Sequence, residues 1–170
     1  MRRSVGAPTV VFAQLEHLAE VKRLSECFKR ELGFINRATL QRSIETQSLL
    51  VALCSHTSQN TSNESTTQNA YELAGIVHFY VRRDEIITLY NIAVAPTYQK
   101  KGIGRRLFEA LIGVTESRGK TLIRLKCPSE LPANLFYKHL GLELIVVEPG
   151  KHRPLNVWGY ALKDHPQTGD

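Results

Sequence analysis

Apolar positions along this chain change rhythm several times, and each change marks an element. Residues 8–13 (PTVVFA) read as a short strand. From Leu15 onward, Leu18, Val21, Leu24, Phe28 and Leu32 recur at steps of three and four, which predicts one amphipathic helix stopped at Gly33. A weaker helical stretch over 37–46 leads into SLLVALC (48–54), an apolar run short enough for a strand. Residues 55–70 (SHTSQNTSNESTTQNA) are then almost purely Ser, Thr, Asn and Gln, with nothing large and apolar to offset the entropy of ordering. They predict a mobile hairpin loop, not a domain linker, because the strands on either side need each other.

YELAGIVHFYV (71–81), a turn at 82–85 and IITLYNIAV (86–94) predict a second hairpin. Its second strand reads as apolar on both faces, as a central strand covered on both sides would be. After 95–98, QKKGIG (99–104) opens a helix whose buried stripe is Ile103, Leu107, Ala110, Leu111 and Val114, ending at Arg118-Gly119. TLIRLKC (121–127) alternates, with Ile123, Leu125 and Cys127 on one face. A short helix over 131–140, stopped by Gly141, precedes two closing strands, LELIVV (142–147) and NVWGYAL (156–162). Antiparallel hairpins early and strand–helix–strand crossovers later predict an α/β (α+β) three-layer domain. It spans residues 1–170, with 164–170 as a tail.

Composition narrows the class. At 170 residues, 42% apolar and 22% charged, the chain fits neither a disordered segment nor a fibre. No apolar run approaches the ~20 residues of a membrane span, and the basic start lacks the apolar stretch of a secretory signal. The sequons at Asn60 and Asn63 are accordingly read as coincidental. Cys27, Cys54 and Cys127 are odd in number and far apart, which excludes a disulfide framework and a thiolate zinc site and suits a reducing cytoplasm. No His, Glu or Asp cluster has metal-ligand spacing, so no metal is expected. Lys plus Arg minus Asp plus Glu is 22 − 16 = +6, with a pI near 9.4. That leaves open both an enzyme of anionic ligands and a nucleic-acid binder.

The strand–loop–helix from Leu89 to Val114 carries the sharpest signal. Gly102 and Gly104 at the mouth of a helix let backbone pass close to a ligand and leave helix N–H groups aimed at it, an arrangement that holds pyrophosphate. Lys100, Lys101, Arg105 and Arg106 surround that mouth. A tight turn with a solvated basic face is the plain alternative. A dinucleotide fingerprint would need a third glycine where Leu107 stands and an acidic residue where Lys126-Cys127 stand. A Walker loop would need G-K-[S/T], but Arg105-Arg106 follow Gly104. Neither NAD nor a nucleoside triphosphate suits the motif.

What remains, Gln99-x-x-Gly102-x-Gly104 after a strand ending Ile92-Ala93-Val94, resembles the core motif of the GNAT superfamily of N-acetyltransferases. Downstream, Ala133-Asn134-Leu135-Phe136-Tyr137-Lys138-His139-Leu140-Gly141-Leu142 is similar to that family's A-x-x-F-Y-x-x-x-G-F, with Leu for the last Phe. The resemblance implies a mixed, mostly antiparallel seven-stranded sheet flanked by helices, with acetyl-CoA as co-substrate. It implies that Gln99, Lys100, Lys101, Gly102, Ile103, Gly104 and Arg105 hold the pyrophosphate. The backbone of Ile92, Ala93 and Val94 would bind the pantetheine arm in a wedge, and an N–H near Val94 would polarise the thioester carbonyl. Tyr137 would protonate the departing thiolate, a phenol being still protonated at neutral pH; an aromatic packed on the sheet is its plain reading. Asn134 would hydrogen-bond the pantetheine or thiolate, although the family's more usual Asn lies three places before Ala133, at Glu130 here.

No general base is named. Thr88, Tyr90 and Asn91 stand where some relatives place a Glu, and Glu85 and His78 are the nearest titratable groups. Cys127 reads as a small buried hydrophobe sooner than a nucleophile, and His152 and Arg153 as a solvated basic loop. The expected acceptor is a small-molecule amine or the amine of a peptide or protein; a membrane partner is not expected and a homodimer is allowed. Two rivals stand beside this reading: a CoA-binding sensor without turnover, and a toxin of the same fold that acetylates aminoacyl-tRNA. No aromatic-and-basic RNA platform supports the second.

Overall fold

The computed structural model describes residues 7–56 and 70–163. Its strands are β1 (Thr9–Phe12), β2 (Leu49–His56), β3 (Ala70–Val81), β4 (Ile86–Val94), β5 (Leu122–Pro128), β6 (Glu143–Glu148) and β7 (Leu155–Ala161). The helices are α1 (Leu18–Cys27), α2 (Lys29–Leu32), α3 (Arg37–Glu45), α4 (Ile103–Ser117) and α5 (Ala133–His139). The strands form one mixed sheet in the order β1-β2-β3-β4-β5-β7-β6. Pairs β1–β2, β2–β3, β5–β7 and β6–β7 are antiparallel, and β4–β5 is parallel with α4 as its crossover. The polar segment expected as a loop is shorter than its composition suggests, because β2 runs to His56 and β3 starts at Ala70, paired with each other. Residues 57–69, with both sequons, and the tail 164–170 lie outside the described residues.

Contacts divide the chain into two compact units. The first is Met1–His78 with Asn91–Leu107. Its core gathers Leu18, Val21 and Leu24 of α1, Leu40 and Ile44 of α3, and Leu49, Val51, Leu73, Ile76 and Ala93 of the strands. The helix expected to run from Leu15 to Leu32 is broken. A single 3₁₀ turn precedes α1, and Phe28 leaves the helical region (ψ 21°) before α2 begins. Phe28 packs against the core there, so its burial outweighs helical continuity. Asn36 caps α3, its side chain accepting from the Thr39 amide at 2.7 Å. Gly75 allows β3 and β4 to approach closely, since a Cβ there would stand 2.8 Å from the Ala93 carbonyl oxygen and 2.9 Å from Leu107.

The second unit is Phe79–Tyr90 with Phe108–Asp170. The β3–β4 turn is closed by the Arg82 amide on the Ile86 carbonyl (3.1 Å) and by Asp84, which accepts from the Ile86 amide (3.1 Å) and from Arg82 Nε. β4 is not apolar on both faces as expected. Ile87 and Leu89 are buried, but Thr88 is half-buried and Tyr90 exposed, so the strand alternates. β5 alternates likewise, with Ile123, Leu125 and Cys127 buried and Arg124 and Lys126 on the opposite face. Phe108 of α4 meets Tyr160 of β7 edge-on at 5.3 Å.

One buried group of the first unit couples folding to pH. Ser43 Oγ donates to the Thr39 carbonyl (2.9 Å), so its contact with His78 Nε2 (2.8 Å) has His78 as donor. Burial pushes the imidazole down from 6.5 to about 4. The folded state therefore favours neutral His78. Its contribution is whole above pH 6.5 and is lost as pH falls towards 4, because the unfolded chain takes up the proton first. We expect about 3 kcal/mol of stability to be lost across that window. His78→Asn should flatten this part of the pH profile of urea unfolding; an unchanged slope contradicts the assignment.

Candidate functional site

In the first unit, the connection from β4 to α4 has no strand or α-helical ladder, and side chains fix its shape. Tyr98, 3% exposed, donates its hydroxyl to Glu72 at 2.8 Å, and its amide reaches the Ala95 carbonyl at 2.8 Å. Gln99 folds back so that Nε2 donates to the Val94 carbonyl at 3.1 Å. Lys101 Nζ donates to the Thr97 carbonyl at 2.9 Å and lies 5.3 Å from the centre of the Tyr98 ring. Lys100 (φ 59°) and Gly102 (φ 79°) then turn the chain through left-handed conformations. The Arg106 amide bonds the Gly102 carbonyl at 3.1 Å, the first helical link of α4. The amides of Ile103 and Gly104 precede that link, in the turn where an α-helix offers no carbonyl of its own.

Nothing lies within 4 Å of where a Cβ would stand on Gly102, so a ligand can approach the backbone there. Lys100, Lys101, Arg105 and Arg106 are exposed around it, whereas Ile103 and Gly104 are buried. Ala93 is buried, and Ile92 and Val94 are half-buried. The predicted loop residues are thus brought together, and their chemistry suits an anionic ligand: helix-mouth amides backed by four cations.

Asn134 and Tyr137 belong to the second unit. Asn134 Nδ2 donates to the carbonyls of Pro128 (2.8 Å) and Leu131 (2.8 Å), while Oδ1 accepts from Asn156 Nδ2 (3.0 Å) and Trp158 Nε1 (2.9 Å). Two donors and two acceptor sites are all that an Asn side chain has. None is left for a pantetheine, so Asn134 clamps α5 to β5 and β7 instead. Tyr137 is 8% exposed, and burial, with Cys127 adding to it, pushes its phenol well above the ordinary value. Burial also raises the Cys127 thiol, with Glu130 reinforcing the shift, which leaves it protonated and a poor nucleophile. Arg153 is held by Glu130 at 2.6 Å. Among the described residues no three His, Cys, Asp or Glu gather to hold a metal, and no helix is long and apolar enough to cross a membrane.

Sequence reasoning passed over a cleft in this same unit. The β4–β5 register runs Ile86↔Leu122, Ile87↔Ile123 and Thr88↔Arg124, and both strands continue beyond it. A cleft of about 370 Å³ opens there, lined in part by Thr88, Tyr90, Arg124, Lys126 and Glu148. Its signal was the alternation of Arg124 and Lys126 against Ile123, Leu125 and Cys127.

Comparison with known proteins bears on this geometry. The model of the acetyltransferase (GNAT) family matches residues 40–142. The [ribosomal protein bS18]-alanine N-acetyltransferase of Escherichia coli K12 is 41% identical over 80 residues, which is 46% of this chain and 53% of that protein. The chain therefore spans about half the length of the curated relatives it matches. Its fold is shared with the crystal structure of the Escherichia coli ribosomal-protein-S18-alanine N-acetyltransferase (TM-score 0.66, 19% identity, 96% of this chain and 99% of that one). It is shared too with N-acetylglutamate synthase from Neisseria gonorrhoeae complexed with coenzyme A and N-acetyl-glutamate (TM-score 0.71, 13% identity, 94% of this chain and 36% of that one).

The Asn134 clamp yields a stability test. Asn134→Ala strands the Trp158 and Asn156 donors and two carbonyls, and should lower the unfolding free energy by about 2 kcal/mol. Urea denaturation checks this; a variant as stable as the parent contradicts the clamp.

Proposed function

The chain belongs to the acetyltransferase (GNAT) family, and from that membership we propose that it transfers an acetyl group from acetyl-CoA directly to a primary amine. The observation that carries this reading is the helix mouth at 99–105, where Gly102 opens backbone to a ligand and four basic residues surround it. The pyrophosphate of acetyl-CoA is taken by that mouth through Gln99, Lys100, Lys101, Gly102, Ile103, Gly104 and Arg105. Gln99 acts through the Val94 carbonyl it binds, fixing the loop. The backbone of Ile92, Ala93 and Val94 meets the pantetheine arm, and an N–H near Val94 faces the thioester oxygen. In transfer, the amine lone pair attacks the carbonyl carbon, and negative charge moves to that oxygen, which the N–H stabilises. The C–S bond then breaks, the sulfur leaves with the electron pair, and the nitrogen releases its proton to water.

Tyr137 is the proposed acid that protonates the sulfur. Burial keeps the phenol protonated throughout the neutral range, so the proton is present to be given, although the raised pKa weakens the drive to pass it to a thiolate whose own pKa lies lower. The acceptor is the amine of a small molecule, or of a peptide or protein; the bS18-alanine acetyltransferase resemblance favours the latter. The protein is proposed to act in the cytoplasm.

The test is turnover of acetyl-CoA, followed as free thiol, with an amine and peptide panel. Tyr137→Phe keeps the ring and removes the hydroxyl, so kcat should fall by about 10²-fold with acetyl-CoA affinity unchanged. Because the phenol is pushed up, the parent's kcat should show no loss from its deprotonation below pH 10. A Phe variant with parental turnover leaves Tyr137 as packing alone. A parent that binds acetyl-CoA and acetylates nothing in the panel favours the sensor.

A further inference from the structure

We infer that the acceptor amine carries a carboxylate, which is received by Arg124 in the cleft of the second unit; this rests on the acetyl-transfer reading above. The cleft begins where the parallel β4–β5 register ends, at Thr88↔Arg124. Of the cations on its wall, Lys126 is held by Glu148 at 2.5 Å, and Arg82 by Asp84 through Nε at 3.0 Å and through a second nitrogen at 2.9 Å. Arg124 differs from both. Among the described residues no carboxylate pairs with it, and its Nε is buried with no hydrogen-bond partner. A charged donor left unsatisfied is costly, and Arg124 Nε stays without an acceptor among the described residues while Arg124 lines the cleft.

The form of that partner follows from the donor. A guanidinium presents parallel N–H groups that match a carboxylate bidentately. Lining charges of the cleft are Arg82, Arg124 and Lys126 against Glu148, an excess of positive charge. An adjoining hollow of about 670 Å³ shares Arg82, Thr88 and Tyr90 and adds Tyr80, Arg83 and Asp84, the last paired with Arg82. The ring centres of Tyr80 and Tyr90 lie 6.5 Å apart, and both residues are more than half exposed. A carboxylate bound at Arg124 has two possible sources: the α-carboxylate of a free amino acid, or an acidic side chain next to the N-terminal amine of a peptide.

The test uses full-length protein, acetyl-CoA and matched acceptors, with kcat/KM read from thiol release. The acceptors are free glutamate and its diamide, and short peptides beginning Ala-Glu or Ala-Gln with blocked C-termini. The expected result is a preference of at least about tenfold for one carboxylate-bearing acceptor over its amide partner, and the pair that shows it identifies the source. Arg124→Gln should abolish that preference by lowering kcat/KM for the carboxylate acceptor, with the acetyl-CoA dissociation constant unchanged. Arg124→Lys, which keeps charge without the fork, should retain part of it and guards against a folding defect in the Gln variant. Equal rates for acid and amide overturn the inference, as does a preference that survives Arg124→Gln. Acetyl-CoA binding with only amides acetylated, or with none of the four acceptors used, also overturns it and leaves the acetyl-CoA assignment standing. Failure to bind acetyl-CoA removes the function proposal itself.

Discussion

The anchoring of Tyr98 on Glu72 is the contact on which the shape of the proposed phosphate-binding mouth depends. Between Val94 and Ile103 the chain has one 3₁₀ turn (Pro96–Tyr98) and no α-helical turn to hold it, yet backbone amides must be presented in one arrangement if they are to grip an anion. Burying a tyrosine at 3% exposure and satisfying its hydroxyl on a β3 carboxylate fixes the middle of the segment. Gln99 on the Val94 carbonyl and Lys101 on the Thr97 carbonyl then tie down the two sides. With those three links in place, the left-handed turns at Lys100 and Gly102 are the remaining route into α4. The cost of these conformations is offset by packing that occurs before any ligand arrives, so the donors need little reorganisation to receive one.

A comparable economy governs the second unit. Asn134 joins the start of α5 to the end of β5 and to the side chains of β7, and α5 carries Tyr137. Burial does two things to the residues around that helix. It keeps the phenol of Tyr137 protonated, and it keeps Cys127 from ionising, so the thiol does not compete as a nucleophile. The same packing that keeps the Tyr137 hydroxyl protonated therefore also suppresses a covalent route through Cys127. A protonated Cys127 is consistent with the direct transfer proposed above.

Much of the architecture was legible because periodicity and glycine punctuation report burial directly. The succession of strands along the chain, the α4 stripe and the stop at Gly141 follow from spacing alone, and the two motifs with the strand between them point to the family, whose resemblance supplies the sheet. The errors have local causes. The break at Phe28 arises because a side chain three-dimensionally suited to the core outranks helical continuity, which no spacing rule registers. β4 was read as apolar throughout because Tyr90 counts as hydrophobic in a run, although its ring lies at the surface. Tyr98 and Glu72, 26 residues apart, leave no periodic trace of their contact. Asn134 was read for its chemistry when its partners, Asn156 and Trp158, lie far along the chain. Arg124 was visible as an alternation, but the partnerless state of its Nε is a property of three dimensions alone.

The central claim is that the 99–105 mouth holds acetyl-CoA by its pyrophosphate. The most direct measurement is calorimetric titration of the protein with acetyl-CoA and with acetyl-pantetheine, which has the same thioester arm but no pyrophosphate or nucleotide. The account predicts that acetyl-CoA binds at least about 100-fold more tightly, and that added salt erodes the difference. Equal affinity for the two, independent of salt, would contradict it.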